Sequence, residues 1–127
     1  MSITKPICVV DDDEAVRVAL SSFIRSSGWA VETFDSAAAL LAFSARHEIA
    51  LLIADIRMPG MSGIEMFDQL VKTGKQPPTL FVSSYCTPEH QRRVGQLKVL
   101  GLMQKPFSLS TLSELIVKTL GDPPAAA

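Results

Sequence analysis

Leu51-Leu52-Ile53-Ala54-Asp55-Ile56-Arg57-Met58-Pro59-Gly60-Met61-Ser62-Gly63 is an apolar run that ends in one carboxylate and breaks at once into a proline-glycine turn. The run is far shorter than a membrane span and reads as a buried strand. Pro59, Gly60 and Gly63 punctuate the residues after Asp55, so neither a strand nor a long helix continues through them. Asp55 is therefore expected at the carboxyl end of a central strand, facing a loop. In open α/β sheets ligands bind along that edge.

Working outward, the same alternation of strand and helix recurs on both sides. Ile7 to Val10 is a short β-branched run that ends in Asp11-Asp12-Asp13-Glu14. Val16, Leu20, Phe23 and Ile24 then recur at helical spacing, and Gly28 stops the helix. Trp29 to Phe34 alternates as a second strand, and Asp35 or Ser36 caps a helix through Arg46 with Leu40, Leu41 and Phe43 on its buried side. Leu51 to Ala54 is the third strand. Ser62 caps a helix carrying Ile64, Met66, Phe67, Leu70 and Val71, and Gly74 terminates it.

Pro77-Pro78 leads into a fourth strand, Thr79 to Val82, which ends in Ser83-Ser84. Pro88 suits the first position of a polar helix that reaches about Leu97. Val99 to Met103 reads as a fifth strand broken by Gly101. Ser108 or Ser110 caps a last helix with Leu112, Leu115, Ile116 and Leu120 on one face, closed by Gly121-Asp122-Pro123-Pro124. Five strands alternating with five helices argue a parallel sheet covered on both faces, with right-handed crossovers. One domain over 3–120 is expected, with 121–127 as a tail or the start of a linker.

Composition narrows the function classes. The chain has 127 residues and a formal net charge of −1, which leaves no overall basic footprint for nucleic acid. No apolar segment approaches the roughly 20 residues that a membrane span needs, and no signal-peptide pattern opens the chain. Cys8 and Cys86 make neither a metal-ligand spacing nor a disulfide framework, so reduced thiols in the cytoplasm are expected.

The parallel arrangement gathers chemistry at one edge. Acidic residues end the first strand, Asp55 the third and hydroxyls the fourth, while Lys105-Pro106 follows the fifth. Several carboxylates in one pocket repel each other and should recruit a cation. Their oxygens suit a hard divalent ion, with Mg²⁺ as the default. A lysine and a hydroxyl beside them would hold the oxygens of an anionic group. Together these groups suit the transfer of a phosphoryl group onto an aspartate.

Val9-Val10-Asp11-Asp12-Asp13, Ala54 through Gly63, Val82-Ser83-Ser84 and Lys105-Pro106-Phe107 appear in this order, each after its strand. In that combination the chain resembles a response-regulator receiver domain of two-component signalling, of the FixJ-like kind. The resemblance implies a CheY-like, flavodoxin-like doubly wound five-stranded parallel sheet with strand order 2-1-3-4-5. It implies that Asp55 is a phosphoacceptor that attacks a phosphohistidine on a sensor histidine kinase or phosphotransfer protein. By the same likeness Asp12 would ligate Mg²⁺ directly, Asp11 mostly through a water, and Asp55 and the backbone carbonyl of Arg57 would complete the protein ligands.

Lys105 would pair with the phosphoryl oxygens, its bond to Pro106 being typically cis in the family. Ser83 would be the switch hydroxyl, with Ser84 as its rival. The resemblance further implies no enzymatic activity beyond the chain's own phosphotransfer and autodephosphorylation. It leaves open either a stand-alone receiver or one followed by a DNA-binding domain, with a homodimer as one outcome of phosphorylation. Charge and hydropathy lead to the expectation of no nucleic-acid contact within this chain and no membrane contact.

Two features depart from the family pattern. Leu102 occupies a position, three before the lysine, where many receivers carry an aromatic switch residue. Leu97-Lys98-Val99-Leu100 replaces the usual Ala-Gly-Ala-type junction. Tyr85, two residues past Ser83, is the nearby aromatic that would shield an aspartyl phosphate from water. A receiver-like binding module that signals without phosphate is the alternative. An aspartate-dependent phosphatase would need an acid where the chain has Arg57.

Overall fold

A computed structural model of the chain describes residues 5–123. In chain order its elements are β1 (Ile7–Val10), α1 (Glu14–Ser26), β2 (Val31–Phe34), α2 (Ala37–Ser44) and β3 (Leu51–Asp55). They continue as α3 (Gly63–Lys72), β4 (Thr79–Ser83), α4 (Pro88–Gly95), β5 (Gly101–Gln104) and α5 (Leu109–Leu120). The strands form one parallel sheet in the order β2-β1-β3-β4-β5, as the resemblance implied.

Side chains alternate across each strand, so every central strand feeds two cores. Cys8, Val10, Leu52, Ala54 and Phe81 face the layer that holds α2, α3 and α4. Ile7, Val9, Leu51, Ile53, Leu80 and Val82 face α1 and α5. Phe67 of α3 meets Phe81 edge-on at 5.9 Å between centroids. The continuous apolar run of β3 is thus a consequence of burial on both faces.

The helix starts follow local hydrogen bonding. Asp13 caps α1, Ser36 caps α2, Thr87 caps α4 and Ser108 caps α5, each through a side-chain oxygen that accepts a backbone N–H. Ser36 and Ser108 are thereby chosen over Asp35 and Ser110. Ser62 and Glu65 form a reciprocal capping box at α3.

Several boundaries differ from the expected ones. The second strand begins at Val31 instead of Trp29, because the Trp29 N–H donates to Ile24 O and closes α1. The second helix ends at Ser44 instead of Arg46, where the Arg46 N–H bonds back only three residues to Phe43 O and tightens the turn. The fourth helix ends at Gly95, two residues early. The fifth strand runs Gly101–Gln104 instead of Val99–Met103, with Gly101 at φ +148 turning the chain into it. Residues 124–127, where the alanine tail was expected to be a stub, lie outside the described residues, as do 3 and 4.

Among the described residues no helix is long and apolar enough to cross a membrane. Both cysteines are free thiols. Burial, aided by the charge of Glu32, pushes the Cys8 thiol up to about 12 and makes it inert.

Candidate functional site

The carboxyl ends of β1 and β3 lie side by side, and Val10 pairs with Ala54. That register sets Asp11 next to Asp55 with Asp12 at the rim. Carboxylate oxygens of Asp11, Asp12 and Asp55 all lie within 4.8 Å of one another. Asp11 is 1% exposed and Asp55 6%, whereas Asp12 faces solvent. Three hard oxygen donors, two of them buried, are the chemistry that a divalent ion such as Mg²⁺ selects. The cluster fits that ion.

Lys105 supplies the counter-charge. Its Nζ lies 2.6 Å from Asp11 Oδ2 and 3.4 Å from Asp55 Oδ2. Its backbone N–H donates to Ser83 O at 2.8 Å, which fixes the loop after β5 against the end of β4. The Lys105–Pro106 peptide is cis, as the family pattern implies. Burial works against the ammonium charge, but the Asp11 hydrogen bond and the two carboxylate charges outweigh it and raise the lysine's pKa. Burial pushes Asp55 up to about 6, the Asp11 charge adds to this, and Lys105 and the Arg57 N–H pull the other way. Asp55 is therefore a desolvated carboxylate with one strong cation at hand.

The remaining expected site residues are placed less uniformly. Ser83 is fully buried at the end of β4, and Ser84 is exposed. The Ser83 hydroxyl does not reach Asp55; it donates to Tyr85 O at 2.9 Å and accepts the Tyr85 N–H at 3.2 Å. The Arg57 N–H donates to Asp55 Oδ1 at 3.2 Å. The Arg57 side chain leaves the pocket, and its guanidinium carbon stacks 5.6 Å from the centre of the Tyr85 ring. This pair bridges the β3–α3 and β4–α4 loops beside the pocket. Leu102 pairs with Phe81 and lines a groove of about 500 Å³ between α4 and β5, with Val94, Leu97 and Cys86.

Two contacts carried no signal in residue order, although Gly63 itself stands in the motif that follows Asp55. The Arg17 Nη1 donates to the backbone carbonyl of Asp11 at 2.7 Å. A Cβ on Gly63 would lie 2.2 Å from the Asp55 carbonyl oxygen, so α3 begins where only glycine fits. Both are contacts to backbone atoms, which residue spacing does not reveal.

The response regulator receiver domain family matches residues 7–117. Response regulator protein TodT of Pseudomonas putida is 46% identical over 79 residues, which cover 62% of this chain and 35% of TodT. Transcriptional regulatory protein FixJ of Azorhizobium caulinodans is 30% identical over 116 residues, covering 91% of this chain and 55% of FixJ. The crystal structure of FixJ-N superposes with a TM-score of 0.81 at 28% identity, covering 94% of each chain. This chain thus spans between about a third and just over half the length of those two curated relatives.

Proposed function

Because the chain belongs to the response regulator receiver domain family, we propose that it is a phosphorylation-dependent switch in which Asp55 accepts a phosphoryl group from a phosphohistidine. The observation that carries this reading is the buried Asp55 carboxylate, flanked by Asp11 and Lys105 and within reach of Asp12. An Asp55 oxygen forms the new P–O bond while the P–N bond to the partner's imidazole breaks. The imidazole keeps that electron pair and leaves neutral, with the proton already on its other ring nitrogen or one taken from water.

Asp12, Asp11, Asp55 and the carbonyl of Arg57 would hold a Mg²⁺ ion. Bound there, the ion supplies positive charge against the oxygens of the transferring group. Lys105 exchanges its carboxylate partners for phosphoryl oxygens, a change of partner that needs no large movement. Ser83 reads the phosphate once its hydroxyl leaves the Tyr85 backbone. That release ties the site to the β4–α4 loop and to the α4–β5 groove. Leu102 takes the place of an aromatic rotamer switch in this relay.

The partner is a sensor histidine kinase or phosphotransfer protein. The unit that acts is residues 3–120, and its chemistry is limited to its own phosphotransfer and dephosphorylation. Two free cysteines suit a reducing compartment, and we place the protein in the cytoplasm. The name of FixJ supports an output in transcription through a further domain, and dimerisation on phosphorylation would fit that output.

Incubation with acetyl phosphate and Mg²⁺, followed by intact mass, tests the reading. One added phosphoryl group, absent from Asp55→Asn, is expected. No gain in the wild type would favour a receiver-like module that signals without phosphate.

A further inference from the structure

We propose that Arg17 is a positioning residue for the divalent-ion site and acts through the peptide between Asp11 and Asp12. The inference rests on reading the acidic cluster as a metal site. Arg17 sits on α1, one turn beyond four consecutive acidic residues, Asp11 to Glu14. A guanidinium so placed would ordinarily pair with one of those carboxylates. Among the described residues it pairs with none and donates to the Asp11 carbonyl at 2.7 Å, half-buried.

That choice matters because of what the peptide carries. Asp11 is held at every polar atom. Its N–H donates to Phe34 O, Oδ1 accepts the Asp13 N–H at 2.9 Å, and Oδ2 accepts from Lys105. Asp12 is the opposite case, because its carboxylate accepts no hydrogen bond among the described residues. The backbone therefore fixes the direction in which the Asp12 Cα–Cβ bond leaves the chain, with no hydrogen bond to hold the carboxylate beyond it. The peptide plane that joins Asp11 to Asp12 is fixed on its carbonyl side by Arg17. Asp13, on the far side of Asp12, is tied to α1 by the cap on the Ala15 N–H at 2.9 Å. Arg17 and Asp13 thus clamp the turn on both sides of a carboxylate left free to bind an ion.

Groups that orient metal ligands without touching the metal typically change affinity by about 10–100-fold when removed. The test uses the whole 127-residue chain and Mn²⁺ as probe, with free Mn²⁺ read by electron paramagnetic resonance and Mg²⁺ as competitor. Arg17→Ala is expected to weaken Mn²⁺ binding within that range while its thermal midpoint in EDTA stays close to wild type. Arg17→Lys, which keeps a donor and the charge, should recover most of the affinity. Arg17→Met keeps the stem without the donor and replaces the alanine variant if that one does not fold.

Arg25→Ala removes an equal charge from the exposed far end of α1, and it should bind as wild type does. Wild-type affinity in Arg17→Met, or an equal loss in Arg25→Ala, overturns the inference. A wild-type chain that binds no divalent ion overturns the metal reading and the inference with it.

Discussion

At Gly63 one added methyl group would meet the backbone of Asp55, the proposed phosphoacceptor. Its Cβ would lie 2.2 Å from the Asp55 carbonyl oxygen and 3.3 Å from the Ile56 Cα. Neither atom belongs to a flexible side chain. Gly63→Ala should therefore push α3 off the end of β3 and destabilise the fold by about 1–3 kcal/mol, measured by urea unfolding. It should also slow phosphorylation by acetyl phosphate, because Asp55 shifts with its carbonyl.

Asp55 itself makes stability depend on pH. Its carboxyl is raised to about 6 in the fold, chiefly by burial, against about 4 in an unfolded chain. Between those values the folded state binds the extra proton, so stability falls as pH rises across that window and levels off above it. In EDTA, Asp55→Asn should be more stable than wild type at pH 7 by about 1–3 kcal/mol, and the gap should close below pH 4. A gap that stays constant with pH would show that Asp55 is not the group responsible.

Tyr85 acts at the same scale. If its stack on Arg57 shields the aspartyl phosphate, Tyr85→Ala should raise the dephosphorylation rate several-fold. An unchanged rate would remove the idea.

Among the elements, α3 is the best specified. Ser62 accepts the Glu65 N–H at 3.1 Å, and Glu65 accepts the Ser62 N–H at 3.0 Å. Ser62→Ala should cost about 1 kcal/mol in chemical denaturation, with no change in the cooperativity of unfolding. Less holds α4. Val94 is its one buried residue, and Arg93 joins it to Asp68 of α3 at 2.8 Å between partly exposed side chains. An ion pair of that kind is worth at most about 1 kcal/mol. A lightly held helix beside the Leu102 groove is suited to a surface that shifts with phosphorylation.

The cap of α3 and the proline that opens α4 were legible in the sequence, because each is a local hydrogen bond or a local steric rule. The starts of β2 and β5 were not. Trp29 is apolar enough for a strand, but its N–H closes α1. Val99 and Leu100 look like strand residues, but they precede the Gly101 turn. Hydrophobicity reports burial there, while the hydrogen bonds that define a strand are settled by neighbours.

Across the whole molecule, one edge of one sheet collects the chemistry. Mg²⁺ that binds the folded cluster and not the unfolded chain should raise the thermal midpoint. At a hundredfold excess over its Kd the gain is about 2.7 kcal/mol. Asp12→Asn should shrink this gain, with differential scanning calorimetry as the check, and an equal gain in that variant would place the ion elsewhere.

By itself the sequence determined the layered fold, the strand-by-strand delivery of Asp11, Asp12, Asp55, Ser83 and Lys105 to one edge, and the family. The fold and the delivery follow from buried apolar runs, turn residues and the parallel crossover, which are local or topological. The family follows from the resemblance of the motifs at the strand ends. Only the tertiary structure decided how those groups are partnered. It buried Asp11 and left Asp12 in solvent, brought Lys105 to Asp11 across 94 positions of chain, and closed the Ser83 hydroxyl on Tyr85. It also turned Arg57 onto Tyr85 and Arg17 onto a carbonyl. Those pairings depend on side-chain direction and backbone position where separate elements pack, and residue order alone does not contain them.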